Sequence, residues 1–256
     1  MRILQLALAI AHRLTLPTLA SLYRKRGGPA PVWLLRATGI ADPTYRRDFY
    51  TLARIIDSTE RFDGDIIECG VYKGTTLLGM AHRLLRRGIT DVRLLGCDSF
   101  VGFPQPSAED ALSGGSFHQR ARKGVFSDTT YEQTMRKIRL LGFDAQVSLL
   151  KGFFDRTLPT LSAMRFSLAH LDCDLYRSYV TCLEFLYPRM VPGGYIVFDE
   201  YSSEDIYPGA KKAIEEFLAG KPEPIERFPD ARDPRYFIRK LPYHAADPAQ
   251  TSPRSA

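Results

Sequence analysis

The chain has 256 residues, 45% of them hydrophobic and 25% charged, with a formal net charge of +6 and four cysteines. This length fits one α/β domain with a substantial core, and cysteines without CxxC spacing exclude a zinc ribbon and argue for reduced, buried thiols in a cytoplasmic protein. Residues 1–50 carry eight basic and two acidic side chains, while the remainder balances 27 against 27, so the basic total does not make nucleic acid a substrate.

In chain order, Met1 to Thr15 places Arg2, Gln5, His12 and Arg13 opposite Ile3, Leu4, Ala7, Ile10 and Leu14, the pattern of an amphipathic helix ended by Pro17. Its apolar run is too short to span a bilayer, and no cleavage-site pattern precedes Arg24-Lys25-Arg26. The segment is expected to pack on its own domain or on a second subunit, giving a homo-oligomer. Residues 1–26 offer the alternative of peripheral contact with an anionic membrane surface, at the inner face. Three regions follow: an N-terminal helical segment over 1–41, one domain over 42–241 and a frayed tail over 242–256.

A helix is predicted from Pro43 to Glu60, then a strand over Asp65–Cys69. That strand enters the turn Gly70-Val-Tyr-Lys-Gly74-Thr75-Thr76, and a helical pattern starts with Leu77, Leu78, Met80 and Ala81. The glycine spacing is not the dinucleotide fingerprint. A second strand, Val92 to Cys97, ends in Asp98, where a nucleoside ribose finds an acceptor in open α/β sheets. Residues 102–130 lack periodicity, and a connection this long directly after Asp98 suggests a substrate-gated lid. Further strands are predicted at Gln146–Leu150, Phe166–Asp174 and Gly194–Tyr201. Helices run from Tyr176 to Tyr187 and from Pro208 to before Gly220, with Pro192-Gly193-Gly194 as a link. Ile225–Phe228 and Tyr236–Leu241 form a closing hairpin-like edge.

Two of these strands, FSLAHLDCD and GGYIVFDEY, are apolar runs that end abruptly in acid. Ligand sites in open α/β sheets lie beyond the carboxyl ends of the strands. Asp172, Asp174, Asp199 and Glu200 therefore form an all-oxygen cup suited to Mg²⁺ or Mn²⁺. A single acid of this kind more often solvates a strand end or caps a helix, and Asp174 has that alternative before the helix at Tyr176. His170 shares a strand face with Asp172 and reads as a core or supporting histidine.

The motifs GDIIECGVYKGTT, GCDSFVGFP, KGFFDRTLP, LAHLDCDLYRS, PGGYIVFDEY and PGAKKAIEEF occur in unbroken order from about Asp42 to Leu241. In this series the chain resembles the macrocin O-methyltransferase family of metal- and S-adenosylmethionine-dependent enzymes. The resemblance implies a Rossmann-like class I methyltransferase fold, with a mostly parallel seven-stranded sheet and helices on both faces. It implies methyl transfer to a hydroxyl of a sugar or glycosylated natural product, a phenolic acceptor or a noncatalytic relative being the alternatives. It implies Asp172, Asp199 and Glu200 as metal ligands; Asp174, two residues beyond Asp172, stands close enough to act as the base or to orient the site, and Asp174 and Asp172 are the catalytic candidates. Glu68, Gly70 and Val71 would meet the methionine end of the cofactor, Thr75 could shape its carboxylate end, Asp98 would meet its ribose, and Ser99 belongs to the same cofactor-binding set. Phe100 would pack at the adenosine, Gly152, Phe153 and Phe154 at the adenine, and Asp172 beside the cofactor. Where this family carries two aspartates the chain has Asp199-Glu200, one methylene longer. A sugar-nucleotide oxidoreductase is disfavoured by the missing third glycine.

Overall fold

The computed structural model describes residues 50–59, 61–228 and 235–242. The expected helix over 1–15, the region 1–41 and residues 243–256 of the tail lie outside them.

Helix α1 (Tyr50–Ser58) leads into strand β1 (Asp65–Cys69), followed by α2 (Thr75–Arg86), β2 (Leu94–Asp98), α3 (Tyr131–Leu141) and β3 (Val147–Lys151). The second half continues with β4 (Phe166–Leu171), α4 (Tyr176–Leu186), β5 (Met190–Phe198), α5 (Pro208–Leu218), β6 (Glu226–Arg227) and β7 (Tyr236–Arg239). The sheet order is β3-β2-β1-β4-β5-β7-β6. Pairing is parallel from β3 to β5, and β7 runs antiparallel to both β5 and β6. From β1 the chain moves outward to β2 and β3, then returns to lay β4 on the other side of β1. That reversal is the switch point at which such sheets open a crevice.

Period-two alternation divides the core between the faces. Ile66, Leu94, Val147, Leu168, Val197 and Phe237 pack with Leu52, Ile56, Leu77, Met80 and Ile138 of α1, α2 and α3. Ile67, Leu95, Ala169, Ile196 and Ile238 pack with Tyr179, Leu183, Ala213 and Ile214 of α4 and α5. Helices cover both faces of one mostly parallel sheet, so central strands read as continuous apolar runs rather than as alternation. All four cysteines are buried free thiols.

Several boundaries move from their predicted places. Strand β4 stops at Leu171, so Asp172 and Asp174 stand in the loop beyond it. Strand β5 starts at Met190, and Pro192-Gly193-Gly194 lies inside it instead of linking it to α4. Strand β2 begins at Leu94, later than Val92. Asp174 does not cap α4: the Tyr176 amide at its start donates to Oδ1 of Asp110 at 2.7 Å. Asp110 comes from the long connection after β2, where the three-residue turn Ala108–Asp110 is the regular structure present. Gly209 lets α5 approach, since a Cβ there would collide with Asp110 Oδ1.

Candidate active site

The carboxyl ends of β1, β2, β4 and β5 open into a cavity of about 1190 Å³, above the roughly 300–1,000 Å³ usual for one small ligand. On its β1 side lies the turn Gly70 to Thr76. Gly70 has φ 96°, and a Cβ there would strike the carbonyl oxygen of Asp172. Glycine therefore allows the β1 turn and the end of β4 to meet without a side chain between them.

Asp98 holds this turn. Its Oδ2 accepts the amides of Val71 and Tyr72, each at 2.8 Å, and its Oδ1 accepts that of Phe100 at 2.7 Å. Lone pairs on the carboxylate remain for a ligand hydroxyl. Gly70, Val71, Thr75, Asp98, Ser99, Gly152, Phe153, Phe154 and Asp172 all line the cavity. Phe153 is 41% exposed, a free aromatic face at the rim.

Two expected cofactor contacts are placed elsewhere. Phe100 is buried in the core and packs edge-on against Tyr131, with ring centroids 5.7 Å apart. Glu68 is buried inside β1, opposite His170 in the β1–β4 register, and its Oε1 lies 3.0 Å from His170 Nδ1. Neither is on the cavity wall. Parallel pairing sets the place of Glu68, which lies inside β1 beside β4 while the turn beyond β1 reaches the crevice; Phe100 lies past the end of β2 and turns into the core against Tyr131.

The acids form two overlapping sets of potential ligands. His170, Asp172 and Asp199 bring their atoms within 4.8 Å of one another, and so do Asp172, Asp174 and Glu200. The expected trio Asp172, Asp199 and Glu200 thus spans both sets, with Asp172 shared. Asp199 has its charge compensated by the protein: Arg235 forms an ion pair with it, and His170 Nε2 lies 3.4 Å away. Burial would raise the Asp199 carboxyl, but Arg235 and His170 hold it below the usual carboxylate range. Burial likewise opposes charge on His170, yet hydrogen bonds and charge from Asp199 and Glu68 push its pKa up to about 10.

Among the described residues, Asp172, Asp174 and Glu200 form no ion pair with a cationic side chain. Burial first, and then the charge of Asp199, raises Asp172 to about 7. Burial together with neighbouring carboxylates raises Asp174 and Glu200 well above the ordinary range. Like charges crowded in a low-dielectric site need a cation or protons, so this oxygen set fits a hard divalent ion. Glu200 Oε2 takes the hydroxyl of Tyr179 at 2.5 Å. Asp174 sits in the left-handed region at φ 62°, and the Tyr207 hydroxyl lies against its carboxyl.

The remaining wall was not readable from motifs. Edge-on ring contacts join Tyr72 to Phe126 at 5.0 Å, Phe126 to Phe103 at 5.1 Å and Phe103 to Tyr207 at 6.4 Å. Arg120, Arg177, Ser203 and Arg235 also line the cavity. Arg120 and Phe126 come from the stretch without periodicity, where sequence carries no positional signal.

A family model described as macrocin-O-methyltransferase (TylF) matches residues 46–227. The chain is 34% identical over 140 residues to the 8-demethyl-8-(2,3-dimethoxy-alpha-L-rhamnosyl)-tetracenomycin-C 4'-O-methyltransferase of Streptomyces olivaceus, covering 54% of this chain and 53% of that one. It is 33% identical over 159 residues to the demethyldecarbamoylnovobiocin O-methyltransferase of Streptomyces niveus, covering 61% and 58%. The match therefore spans little more than half the length of these curated relatives. Among solved structures, the O-methyltransferase NovP superposes with a TM-score of 0.64 at 26% identity over 76% of this chain and 79% of that one. The glycine turn and paired acidic strand ends lie inside the stretch the family model matches, and the chain belongs to the macrocin O-methyltransferase family.

Proposed function

We propose that the protein is an S-adenosylmethionine- and Mg²⁺-dependent O-methyltransferase acting on a hydroxyl of a sugar or glycosylated natural product. One observation carries this reading. The glycine turn from Gly70 to Thr76 and the three carboxylates of Asp172, Asp174 and Glu200 line the same cavity. Supporting it, both relatives carry O-methyltransferase names, and one name specifies a rhamnosyl compound.

S-adenosylmethionine would be held by Gly70, Val71, Thr75, Asp98 and Ser99, with Phe153 and Phe154 at its base, and it supplies an electrophilic methyl group. A divalent cation would be held by Asp172 and Glu200, with Asp199 alongside, and it supplies Lewis acidity that favours the ionised form of a hydroxyl. The protein's own contribution is placement and proton transfer. A sugar hydroxyl does not ionise unaided near neutral pH, so a carboxylate must take its proton as it reacts. Asp174 faces the cavity between Tyr207 and Glu200 and serves as that acceptor. The rings of Tyr72, Phe103 and Phe126 give the cavity an apolar stretch of wall, and a water-poor site would favour loss of a sulfonium charge. Thr75 and Ser99 provide hydroxyls at the cofactor end.

The test is turnover of labelled S-adenosylmethionine with glycosides and phenols. EDTA should abolish methylation and Mg²⁺ or Mn²⁺ restore it. Asp172→Asn should retain cofactor affinity and lose about 10²-fold in kcat, since removing the charge acts on the transition state. Full activity in metal-stripped protein would remove the cation from the mechanism.

A further inference from the structure

Ile66 of β1 and Leu168 of β4 pair in register on the face of the sheet that packs against α1, α2 and α3. One step of two residues nearer the carboxyl edge, on the same face, the apolar pattern gives way to Glu68 and His170, again a direct pair. His170 pairs in turn with Val197 of β5, two residues before Asp199. Glu68 and His170 are each only 1% exposed. Glu68 Oε1 lies 3.0 Å from His170 Nδ1, and His170 Nε2, across the ring, lies 3.4 Å from Asp199 Oδ1. Nε2 is enclosed and has no hydrogen-bond partner of good geometry among the described residues, so the Asp199 carboxylate is the acceptor within its reach.

A glutamate and a histidine this deep are a poor means of joining two strands. Desolvating them is costly, and apolar residues of similar volume, as in the row below, would hold the sheet as well or better. Asp199 gives the pair a use. Unlike Glu68 and His170 it lines the cavity, and Arg235 forms an ion pair with the same oxygen, Oδ1, that His170 approaches. Two protein groups therefore bear on one oxygen of this carboxylate, and Oδ2 is the one they leave. Carboxylates that bind metal ions are themselves held by neighbours that fix their orientation, and removing such a neighbour costs roughly 10–100-fold in metal affinity or activity.

We infer that Glu68 and His170 are positioning residues for divalent-cation binding: Glu68 fixes the His170 ring, and His170 fixes Oδ1 of Asp199, so that this carboxylate is presented to the cation in one orientation. This rests on the metal-dependent reading above and adds to it two residues that touch neither cofactor nor acceptor. It also gives Glu68 a task other than contact with the methionine end of the cofactor.

The experiment is calorimetry on the full-length, metal-stripped protein with Mn²⁺ as titrant, repeated with S-adenosylhomocysteine. His170→Asn keeps an amide at the place of Nδ1, beside Glu68, but is too short to reach Asp199, whereas His170→Gln carries its amide to the place of Nε2. Mn²⁺ affinity should fall about tenfold or more in His170→Asn and be largely restored in His170→Gln, an order that lost packing does not produce. Glu68→Gln, nearly the same in shape, should weaken Mn²⁺ by about tenfold. S-adenosylhomocysteine affinity should stay at the wild-type value in all three, which also shows that they fold; if a His170 variant does not fold, Glu68→Gln decides. Unchanged Mn²⁺ affinity in Glu68→Gln, or equal losses in His170→Asn and His170→Gln, overturns the positioning role. Weakened S-adenosylhomocysteine binding in Glu68→Gln with Mn²⁺ affinity intact returns Glu68 to the cofactor and overturns it as well. Wild type that binds S-adenosylhomocysteine but no Mn²⁺ removes the metal reading and the inference together, whereas wild type that binds Mn²⁺ no better than the variants do removes the inference alone.

Discussion

Tyr179 has one hydroxyl proton and two buried acceptors within reach, Leu171 O at 2.8 Å and Glu200 Oε2 at 2.5 Å. The residue ties the end of β4 to a cavity acid from underneath, through α4. Tyr179→Phe keeps the ring but removes the donor, so Glu200 Oε2 loses its short hydrogen bond while Leu171 O keeps the amide of Asp199, at a cost of about 1–3 kcal/mol. The expected result is a lower denaturant midpoint with an unchanged m-value, together with reduced kcat as Glu200 loses its anchor. Unaltered kcat would mean Glu200 needs no such support. Asp98 is a second residue with more than one task. From sequence its role is ribose contact alone, with the fold indifferent to its loss. With three amides on its carboxylate, Asp98→Ala should both weaken S-adenosylhomocysteine binding and lower Tm by several degrees, at about 2–4 °C per kcal/mol for this chain length. Unchanged Tm would show that the turn keeps its shape unaided.

At the level of elements, α4 matters most because its first turn adjoins the acids. Its N-cap residue, Leu175, offers no side-chain acceptor, and Asp110 supplies one from 66 residues upstream. Oδ2 of the same carboxylate takes the amide of Ser107 at 2.8 Å and its hydroxyl at 3.1 Å, so the long connection is pinned to the helix it borders. Asp110→Ala removes an N-terminal acceptor and its favourable charge on the helix dipole, costing about 1–2 kcal/mol. Urea unfolding should register that loss, and limited proteolysis should show faster cleavage within residues 102–123. Equal cleavage in variant and wild type would mean the connection is held by other contacts. The helix α3 is by contrast self-sufficient, with Thr130 and Gln133 completing a reciprocal capping box.

Over the whole molecule, the C-terminal hairpin is anchored by a buried charged cluster at the edge opposite the cofactor side. Glu223 accepts from Lys240 Nζ at 2.9 Å and from the Tyr187 hydroxyl at 2.6 Å, joining the segment after α5, the end of β7 and the end of α4. Burial would raise the Glu223 carboxyl, but those hydrogen bonds and the Lys240 charge hold it below its ordinary value. A carboxyl depressed on folding contributes stability above its unfolded pKa, and that contribution is lost as pH falls through the folded value. Glu223→Gln should therefore cost on the order of 3 kcal/mol near neutral pH by taking the compensating carboxylate charge away from buried Lys240. The Tm gap to wild type should close as pH drops below 4.5, the ordinary value for this carboxyl. A gap independent of pH would mean the effect is packing, not charge.

The sequence by itself determined the sheet, the order of its elements and the strand-end acids. These rest on local signals: apolar runs of strand length, a glycine turn before a helical period and carboxylates where those runs stop. Those signals also placed Asp172, Asp174, Asp199 and Glu200 at one edge, because consecutive parallel strands end on the same side. What only the tertiary structure decided is which of these acids share a partner. Asp199 is neutralised by Arg235 and His170, whereas Asp172, Asp174 and Glu200 are left together. It also turned Glu68 toward His170 and Phe100 toward Tyr131, and brought Arg120 and Arg177 into one cavity. Pairings of this kind join residues up to 102 positions apart, and they depend on strand register and the path of an aperiodic connection. Neither leaves a pattern along the chain, because a contact across the sheet constrains two positions without imposing any period between them.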